Sequence, residues 1–313
     1  MKAEEVQQVA VIGAGVMGHS IAQVFAWNDI EVNLVDVETA RLEHAVDLIK
    51  AELDTLAAHG RITFEDIPAI LGRIRPTTDL AAAAAGVDFA LESVAEVPEV
   101  KQHVFAQLNR FCPEAAVLAS NTSSLDIFRI VPVGRPERLV TTHWFAPPNI
   151  IPLVEVAPGP QTAPAVVNFT ADLMERLGKK PVVMQRFVPG FIVNRIQRSI
   201  RQAVLEMLSN GWATPAEIDL AVKTSLGIRL PVVGVVQSMD FTGLDLLADI
   251  AKGQGDASAF ITDKVSRGHL GAKTSQGIFD YGGRSEIEIL KKRDRRYLQT
   301  LDHLLRINAF EPV

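Results

Sequence analysis

The 313-residue sequence predicts an α/β protein in which a doubly wound sheet domain is followed by an all-helical domain. Short apolar runs alternate with amphipathic helical patterns in the first part of the chain, and only helical patterns follow. The predicted strands lie at residues 9–12, 31–35, 73–77, 87–94, 116–120, 138–145, 153–157 and 180–184. The helical patterns between them lie near residues 16–27, 39–59, 64–71, 98–111 and 164–177.

A change of pattern near residues 187–190 separates the two predicted domains, because the Pro-Gly pair there is a turn signal. We therefore assign residues 1–188 to the sheet domain and residues 189–313 to the helical domain. The helical domain opens with apolar residues that recur every three or four positions over residues 192–207, as on one face of a helix. A further amphipathic helix is predicted at residues 287–305.

A glycine-rich segment of the form GxGxxG follows the first predicted strand and opens the first helix. Its first glycine permits a tight turn, its second lets the backbone approach a pyrophosphate, and its third lets the helix pack closely on the strand. The helix N-terminus offers unpaired N–H groups to the phosphates. The position of the segment predicts a Rossmann-type dinucleotide site. The binding residues assigned to it are Gly13, Gly15, Val16, Met17 and Gly18.

Asp36 ends the second predicted strand, at the place where dinucleotide-binding domains carry an acid for the adenosine ribose. Its carboxylate should accept hydrogen bonds from the ribose hydroxyls and repel a 2′-phosphate, which favours NAD over NADP. Two alternatives stay open. The segment could be a glycine turn without a ligand, or it could bind FAD, which usually needs more chain around its ring system.

Composition argues against several other classes of protein. The formal net charge is −6, and the basic run at residues 291–293 is followed at once by an aspartate, so no nucleic-acid partner is expected. No stretch approaches the roughly 20 apolar residues of a membrane span, and we expect a cytoplasmic protein without a membrane partner. Cys112 is the single cysteine and is expected to be buried, and no metal site is predicted.

His143 and Glu155 lie in two successive predicted strands that a Pro-rich connection joins. A carboxylate flanked by valines in a buried strand is costly unless it is paired. We expect Glu155 to orient the imidazole and stabilise its protonated form, and His143 to act as the general base for a hydroxyl proton. A structural histidine is the alternative for His143. The other six histidines are interpreted as surface residues.

Further polar residues fall where predicted strands end, the edge at which open α/β sheets bind ligands. They are Glu92, Glu96, Lys101, Asn121, Ser123 and Ser124. Asn121 is assigned to the cofactor site. Ser123, together with Asn194 of the helical domain, is a candidate to bind a substrate oxygen. The alternatives are that Ser123 caps a helix and that Asn194 makes a buried hydrogen bond between helices.

Together these segments resemble the 3-hydroxyacyl-CoA dehydrogenase family. The matching segments are VAVIGAGVMGHSIAQVFA, ESVAE with Lys101, SNTSSL, HWFAPPNIIPLVEV, PGFIVNRI and KTSQGIFDY. The resemblance implies an NAD-dependent Rossmann domain followed by a helical dimerisation domain. The implied site residues are His143 and Glu155 as a His–Glu pair, Ser123 and Asn194 near the substrate carbonyl, and Glu96 and Lys101 on the nicotinamide side.

The resemblance implies oxidation of a 3-hydroxyacyl-CoA to the 3-ketoacyl-CoA, or the reverse, in fatty acid metabolism by a homodimer. Departures from the family favour an alternative substrate, a free 3-hydroxy acid or a related small hydroxy compound. Ala146 stands where the family commonly has asparagine, and PPNIIPLVEVAPGPQTAP is more similar to gulonate and carnitine dehydrogenases. The chain also continues past the matched core after Tyr281. A third hypothesis is a non-catalytic NAD-binding structural or sensor protein.

Overall fold

The computed structural model describes residues 2–255 and 258–311. The strands are β1 Gln8–Ile12, β2 Glu31–Val35, β3 Ile74–Thr77, β4 Phe89–Glu92, β5 Val117–Ser120, β6 Leu139–Trp144, β7 Leu153–Pro158 and β8 Lys180–Val183. The helices of the first part are α1 Gly18–Trp27, α2 Thr39–Ala58, α3 Ile67–Gly72, α4 Leu80–Ala84, α5 Pro98–Phe111, α6 Ile127–Ile130 and α7 Pro164–Arg176. Those that follow are α8 Val193–Ser209, α9 Pro215–Thr224, α10 Leu226–Thr242, α11 Leu244–Gln254, α12 Ala259–Ser266 and α13 Glu286–Arg306.

The eight strands form one sheet in the order β3-β2-β1-β4-β5-β6-β7-β8. Neighbours from β3 to β6 are parallel, β7 runs antiparallel to β6, and β8 is parallel to β7. The reversal follows from the connection between β6 and β7, which is too short for the crossover that parallel neighbours require. The predicted doubly wound α/β sheet followed by a helical region is confirmed.

The core lies on both faces of the sheet because side chains alternate along each strand. In β1, Val9 and Val11 join one apolar cluster, which includes residues of α1, α2 and α7. Ala10 and Ile12 join the cluster on the other face, which includes residues of α4 and α5. Every residue of α1 except Trp27 is buried, so the helix that begins at the glycine-rich segment is held firmly against the sheet.

Most predicted elements agree with the structure to within two residues at their ends. The predicted helix at 64–71 is instead a short 3₁₀ turn, Phe64–Asp66, followed by α3. Pro68 explains the break, since a residue without an N–H fits the first turn of a new helix and not the interior of a longer one. The predicted strand at 87–94 is shorter in the structure, and residues 93–94 belong to the loop after β4.

Contacts divide the chain into two compact units, residues 1–199 and residues 200–313, with the division inside α8. The domain boundary assigned at residue 188 from sequence stays a prediction. In the second unit, the buried carboxylate of Asp240 in α10 accepts hydrogen bonds from Ile278 N at 2.8 Å and Phe279 N at 2.9 Å. These contacts join α10 to the segment that precedes α13.

Among the described residues, no single helix is both long enough and apolar enough to cross a membrane. Helices α10 and α11 meet the length and hydropathy criteria only as a pair, with a 75° bend between them.

Candidate active site

The glycine-rich segment connects β1 to α1 at the edge of the sheet where the parallel strands end. A Cβ on Gly18 would lie 1.7 Å from the carbonyl oxygen of Gly13, so only glycine lets α1 begin this close to the turn. A Cβ on Gly15 would meet nothing within 4 Å, and Val16 is exposed. Met17 is the N-cap of α1. This open cradle at a helix N-terminus fits the pyrophosphate of a dinucleotide.

Asp36 follows β2 and lies against the glycine-rich segment. Its Oδ2 accepts a hydrogen bond from Ala14 N at 2.9 Å, and its Oδ1 accepts one from Val37 N at 2.8 Å. A carboxylate has about four acceptor positions, so both oxygens can still accept bonds from a ribose. The acid therefore holds the glycine-rich segment from one side while it remains available to a ligand.

The strands β6 and β7 place His143 directly opposite Glu155 in their antiparallel register. Both side chains are buried, and His143 Nδ1 lies 2.7 Å from Glu155 Oε2. Because Nδ1 faces a carboxylate and carries the proton, the neutral ring keeps its acceptor lone pair on Nε2. The ring stacks on Phe191 with centroids 4.6 Å apart, and Phe145 lies on it at 4.5 Å.

The other oxygen of Glu155 binds the start of α8. Glu155 Oε1 accepts hydrogen bonds from Ile192 N at 2.9 Å and Val193 N at 3.0 Å. The next residue, Asn194, has its Nδ2 3.4 Å from His143 Nε2. Both carboxylate oxygens are thus partnered, as a buried charge requires. The contacts of Glu155 with α8 therefore also place the Asn194 amide beside His143 Nε2, the ring nitrogen that does not face Glu155.

Asn121 and Ser123 lie after β5, the strand beside β6. Asn121 Oδ1 accepts a hydrogen bond from Trp144 N at 3.0 Å, and its Nδ2 donates to Ser93 Oγ at 3.3 Å. The side chain of Asn121 therefore ties together the ends of β4 and β6. The side chain of Ser123 is exposed. Ser123 is not a helix cap, because the N-cap of α6 is Asp126.

Glu96 organises the loop that carries Ser123. Its Oε1 accepts hydrogen bonds from Thr122 Oγ1 at 2.7 Å and from the N–H groups of Ser123 and Ser124, both at 2.9 Å. Burial opposes ionisation, but the bond from Thr122, the charge of Lys101 and backbone N–H groups outweigh it and lower the pKa of Glu96 to about 2. Glu96 is therefore an ionised anchor for this loop at neutral pH.

Lys101 is completely buried on α5. Its Nζ donates to the two carboxylate oxygens of Glu92 at 2.7 and 2.9 Å and lies 3.2 Å from Glu96 Oε2. Ser120 Oγ donates to Glu92 Oε2 at 2.5 Å. Lys101 Nζ thus pairs with Glu96 Oε2, the carboxylate oxygen that does not bind Thr122. Direct contact between Lys101 and a cofactor stays a prediction.

His19, which the sequence analysis interprets as a surface residue, is only 5% exposed, so that interpretation is wrong. Its Nδ1 lies 2.7 Å from Gly15 O, and its Nε2 lies 3.2 Å from Glu52 Oε1. The pattern of α1 contained the signal that could have identified it. His19 follows Gly18 directly, on a helix whose other residues are almost all apolar.

Possible metal ligands and the single cysteine also bear on the chemistry of the site. Within residues 2–255 and 258–311, no group of three or more His, Cys, Asp and Glu side chains could hold a metal ion. Cys112 is buried, as predicted, and this burial raises the pKa of its thiol to about 11. The thiol is therefore uncharged at neutral pH.

A doubly wound sheet with an open phosphate cradle after β1 and an acid after β2 defines the class of dinucleotide-dependent oxidoreductases. Comparison with known proteins gives the particular family. The family model for the 3-hydroxyacyl-CoA dehydrogenase NAD binding domain matches residues 8–187, and that for the C-terminal domain matches residues 190–281. The chain belongs to the 3-hydroxyacyl-CoA dehydrogenase family. It is an NAD-dependent oxidoreductase that acts on CH–OH groups, so the non-catalytic hypothesis is set aside.

Relatives within this family act on different substrates. The 5-formyl-3-hydroxy-2-methylpyridine 4-carboxylate 5-dehydrogenase of Mesorhizobium japonicum is 30% identical, over 88% of this chain and 91% of its own. The 3-hydroxyadipyl-CoA dehydrogenase of Escherichia coli is 35% identical over 90% of this chain, which spans only 60% of that relative's length. The crystal structure of a 3-hydroxyacyl-CoA dehydrogenase from Archaeoglobus fulgidus has a TM-score of 0.76 and 27% identity, over 97% of this chain and 100% of that chain.

Proposed function

We propose that this protein oxidises the hydroxyl group of a 3-hydroxyacyl-CoA to a ketone, or catalyses the reverse reaction, with His143 as the general base. The observation that carries the proposal is the 2.7 Å contact between His143 Nδ1 and Glu155 Oε2. This contact leaves Nε2 as the acceptor atom of a buried, oriented imidazole. A base that accepts a hydroxyl proton needs such a lone pair within reach of the substrate.

In the proposed reaction, His143 Nε2 takes the hydroxyl proton while the hydrogen on the same carbon leaves as hydride. The imidazolium that forms is stabilised by the carboxylate of Glu155, whose other oxygen is held by the N-terminus of α8. Asn194 Nδ2 and the exposed hydroxyl of Ser123 are the proposed donors to the substrate oxygen. In the reverse direction the imidazolium returns the proton to that oxygen.

NAD⁺ supplies the hydride acceptor when it is bound. The chain's own residues bind and orient it at the carboxyl edge of the sheet. The backbone from Gly13 to Gly18 is proposed to hold the pyrophosphate, Asp36 the adenosine ribose, and Asn121 and Glu96 the nicotinamide side. Lys101 is proposed to act through Glu96, which it holds by charge.

A cavity of about 920 Å³ lies in the first unit, but none of the residues proposed for catalysis or cofactor binding lines it, so it does not identify the substrate. It is lined by Arg61, His59 and the buried Lys179, and by residues of the loop that follows His143, including Asn149. None of its described lining residues is a carboxylate. Burial lowers the pKa of Lys179 to about 8, so its ammonium group still carries a charge at neutral pH. Its Nζ donates hydrogen bonds to the carbonyl oxygens of Pro148 and Ile151, so Lys179 holds the connection between β6 and β7.

A free hydroxy compound is the second candidate substrate. The specific observation that favours it is the similarity to the Mesorhizobium japonicum enzyme, whose name gives a pyridine carboxylate as its substrate. The proposed His143–Glu155 chemistry would be unchanged for a free 3-hydroxy acid, since it carries the same secondary alcohol as the thioester.

The test measures NADH absorbance with purified protein, NAD⁺ and either 3-hydroxybutyryl-CoA or free 3-hydroxybutyrate. Turnover of the thioester alone supports the proposal. Turnover of the free acid alone overturns the thioester assignment. His143→Gln should abolish activity with either substrate, whereas His103→Gln on the exposed surface of α5 serves as the matched control.

We also propose that the protein is a homodimer joined through its helical part. Helix α8 has no buried residue in the single chain, although it is strongly amphipathic. Large apolar side chains are exposed on it, among them Ile196, Ile200 and Leu205. Exposed apolar surface of this extent is typical of a protein–protein interface.

A further inference from the structure

His19 joins the two helices that follow the first two strands, directly behind the glycine-rich segment. It lies in the first turn of α1, and Glu52 lies on α2. The side chain of His19 is 6% exposed, and that of Glu52 is 24% exposed. A buried polar ring of this kind keeps its geometry only if both nitrogens find partners.

Both partners of the His19 ring are acceptors. Gly15 O is a backbone carbonyl oxygen and Glu52 Oε1 is a carboxylate oxygen. A neutral imidazole carries one N–H and can satisfy only one of these contacts, whereas an imidazolium donates to both. The geometry therefore favours a protonated His19.

The electrostatic surroundings agree with this protonation state. Burial alone would lower the pKa of His19, but the contact with Glu52, the bond to Gly15 O and the charge of Glu52 together raise it. Among the elements packed on α1, α3 and β1 carry no ionisable side chain, and β2 and β3 carry the exposed, mutually paired Glu31 and Arg75. Glu52 on α2 is the charged group that contacts the ring.

The His19 contact with Gly15 O also has a consequence for the cradle. Together with the longer backbone bond from His19 N at 3.3 Å, it holds this carbonyl on the side of α1, while the region in front of Gly15 is open. A carbonyl oxygen turned toward phosphates would repel them, and a fixed positive charge one turn behind the loop attracts them. Nothing in the reaction proposed for His143 requires this residue.

We propose that His19 is a cofactor-positioning residue, held doubly protonated between Gly15 O and Glu52, and that the dinucleotide binds more tightly when this proton is present. The proposal rests on the assignment of the glycine-rich segment to the pyrophosphate. His19 acts through the loop and through its charge. It is therefore expected to affect the KM for NAD⁺ and to leave kcat at saturating cofactor unchanged.

The experiment is calorimetric titration with ADP-ribose from about pH 6 to about pH 9, the range around which a raised histidine pKa lies. ADP-ribose carries the pyrophosphate but no nicotinamide, which keeps the titration of His143 out of the measurement. For the parent protein, affinity should be highest below the pKa of His19 and fall as the pH rises through it. His19→Gln keeps a hydrogen-bonding side chain but no charge, so its affinity should be about tenfold lower at the acid end and independent of pH.

Glu52→Gln provides a second variant that leaves His19 in place. It should lower the pKa of His19 and shift the fall in affinity to lower pH. His44→Gln changes an exposed histidine on α2, the helix that carries Glu52. Its affinity and pH dependence should match those of the parent. The proposal is overturned if His19→Gln keeps the parent's affinity and pH dependence, or if Glu52→Gln leaves the position of the fall unchanged.

Gly15→Val separates this proposal from the cofactor assignment on which it rests. If Gly15→Val binds ADP-ribose as the parent does, the glycine-rich segment is not the pyrophosphate site and the broader assignment fails. If Gly15→Val loses binding while His19→Gln retains it with the parent's pH profile, only the role of His19 fails.

Discussion

At the scale of single residues, the carboxylate of Glu155 performs two tasks with its two oxygens. Oε2 orients His143, and Oε1 binds two N–H groups at the start of α8. A residue that only oriented the imidazole would leave the helix start unaffected. The geometry therefore couples the orientation of the imidazole to the placement of Asn194, which is the next residue on that helix.

Glu155→Gln should lower kcat by about 10² to 10⁴, because a neutral amide stabilises the imidazolium far less than a carboxylate does. The affinity for NADH should change little, since neither oxygen of Glu155 contacts the glycine-rich segment. Steady-state kinetics and fluorescence titration of NADH measure the two effects. Turnover equal to that of the parent would remove Glu155 from the mechanism.

Asp36→Ala should weaken NAD⁺ binding and reduce the discrimination against NADP⁺. The carboxylate repels a 2′-phosphate, and its loss removes both that repulsion and the bonds to the ribose. The ratio of the KM values for the two cofactors is the measurement. Asp79→Ala, at the N-cap of α4, is a control that removes a capping carboxylate elsewhere in the sheet domain. Equal KM ratios in parent and Asp36→Ala would contradict the assignment.

The sequence predicts contacts within a local motif better than contacts between separate elements, because only the former leave a regular spacing of residues. Asp36 and the glycines form a local motif whose spacing reflects one βαβ unit, and the valines around Glu155 indicate a buried acid that needs a partner. Glu52, the charged partner of His19, and the partners of Lys101 come from other elements, and no local periodicity marks them. Burial of Lys101 between Glu92 and Glu96 depends on how α5 packs on the sheet, which a single sequence does not state.

At the scale of elements, the conformation of the loop between β5 and α6 depends on Glu96, which lies in the loop between β4 and α5. Glu96, before α5, accepts hydrogen bonds from several donors of residues 122–125. The loop has little regular structure of its own, so its conformation is set by this ionised side chain. Ser123 is carried by the loop and should move with it.

Glu96→Gln should reduce stability by about 1 kcal/mol at neutral pH, since a partly exposed anchor loses its charge-assisted bonds. Because folding lowers the pKa of Glu96 from 4.5 to about 2, its contribution is complete above about pH 4.5 and declines as the pH falls toward 2. Urea unfolding of parent and variant between neutral and acid pH measures the difference.

Glu99→Gln, one helical position into α5, provides the control for this comparison, because Glu99 is exposed and makes no such set of bonds. A stability difference between parent and Glu96→Gln that stays constant through the acid range would mean that the carboxylate charge does not hold the loop. A parallel rise in the KM for substrate would link the loop to the placement of Ser123.

At the scale of the whole molecule, the helical pattern after residue 190 was predictable, but its burial was not. An apolar stripe on α8 predicts a buried helix face, and in the single chain this helix has no buried residue. The sequence contains the periodicity but not the identity of the surface that covers it. A second copy of the chain is the occupant that we propose.

Replacing both Ile196 and Ile200 by glutamate should convert a dimer to a monomer, because four carboxylate groups would be placed in one apolar interface. Light scattering coupled to size exclusion should give the chain mass for the double variant and twice that mass for the parent. Gln202→Glu adds one carboxylate per chain elsewhere on α8 and should leave the mass at that of the parent. A parent that is monomeric would contradict the proposal directly.

The register of β6 and β7 has a consequence for how this chain can change over generations. His143 and Glu155 face each other across a strand ladder, so the connection at residues 145–152 does not set their separation. That connection can lengthen, shorten or change composition while the two side chains stay in contact. Lineages that share this His–Glu pair are therefore free to diverge in the neighbouring loop, and new substrate preferences can arise there without loss of the proposed acid–base chemistry.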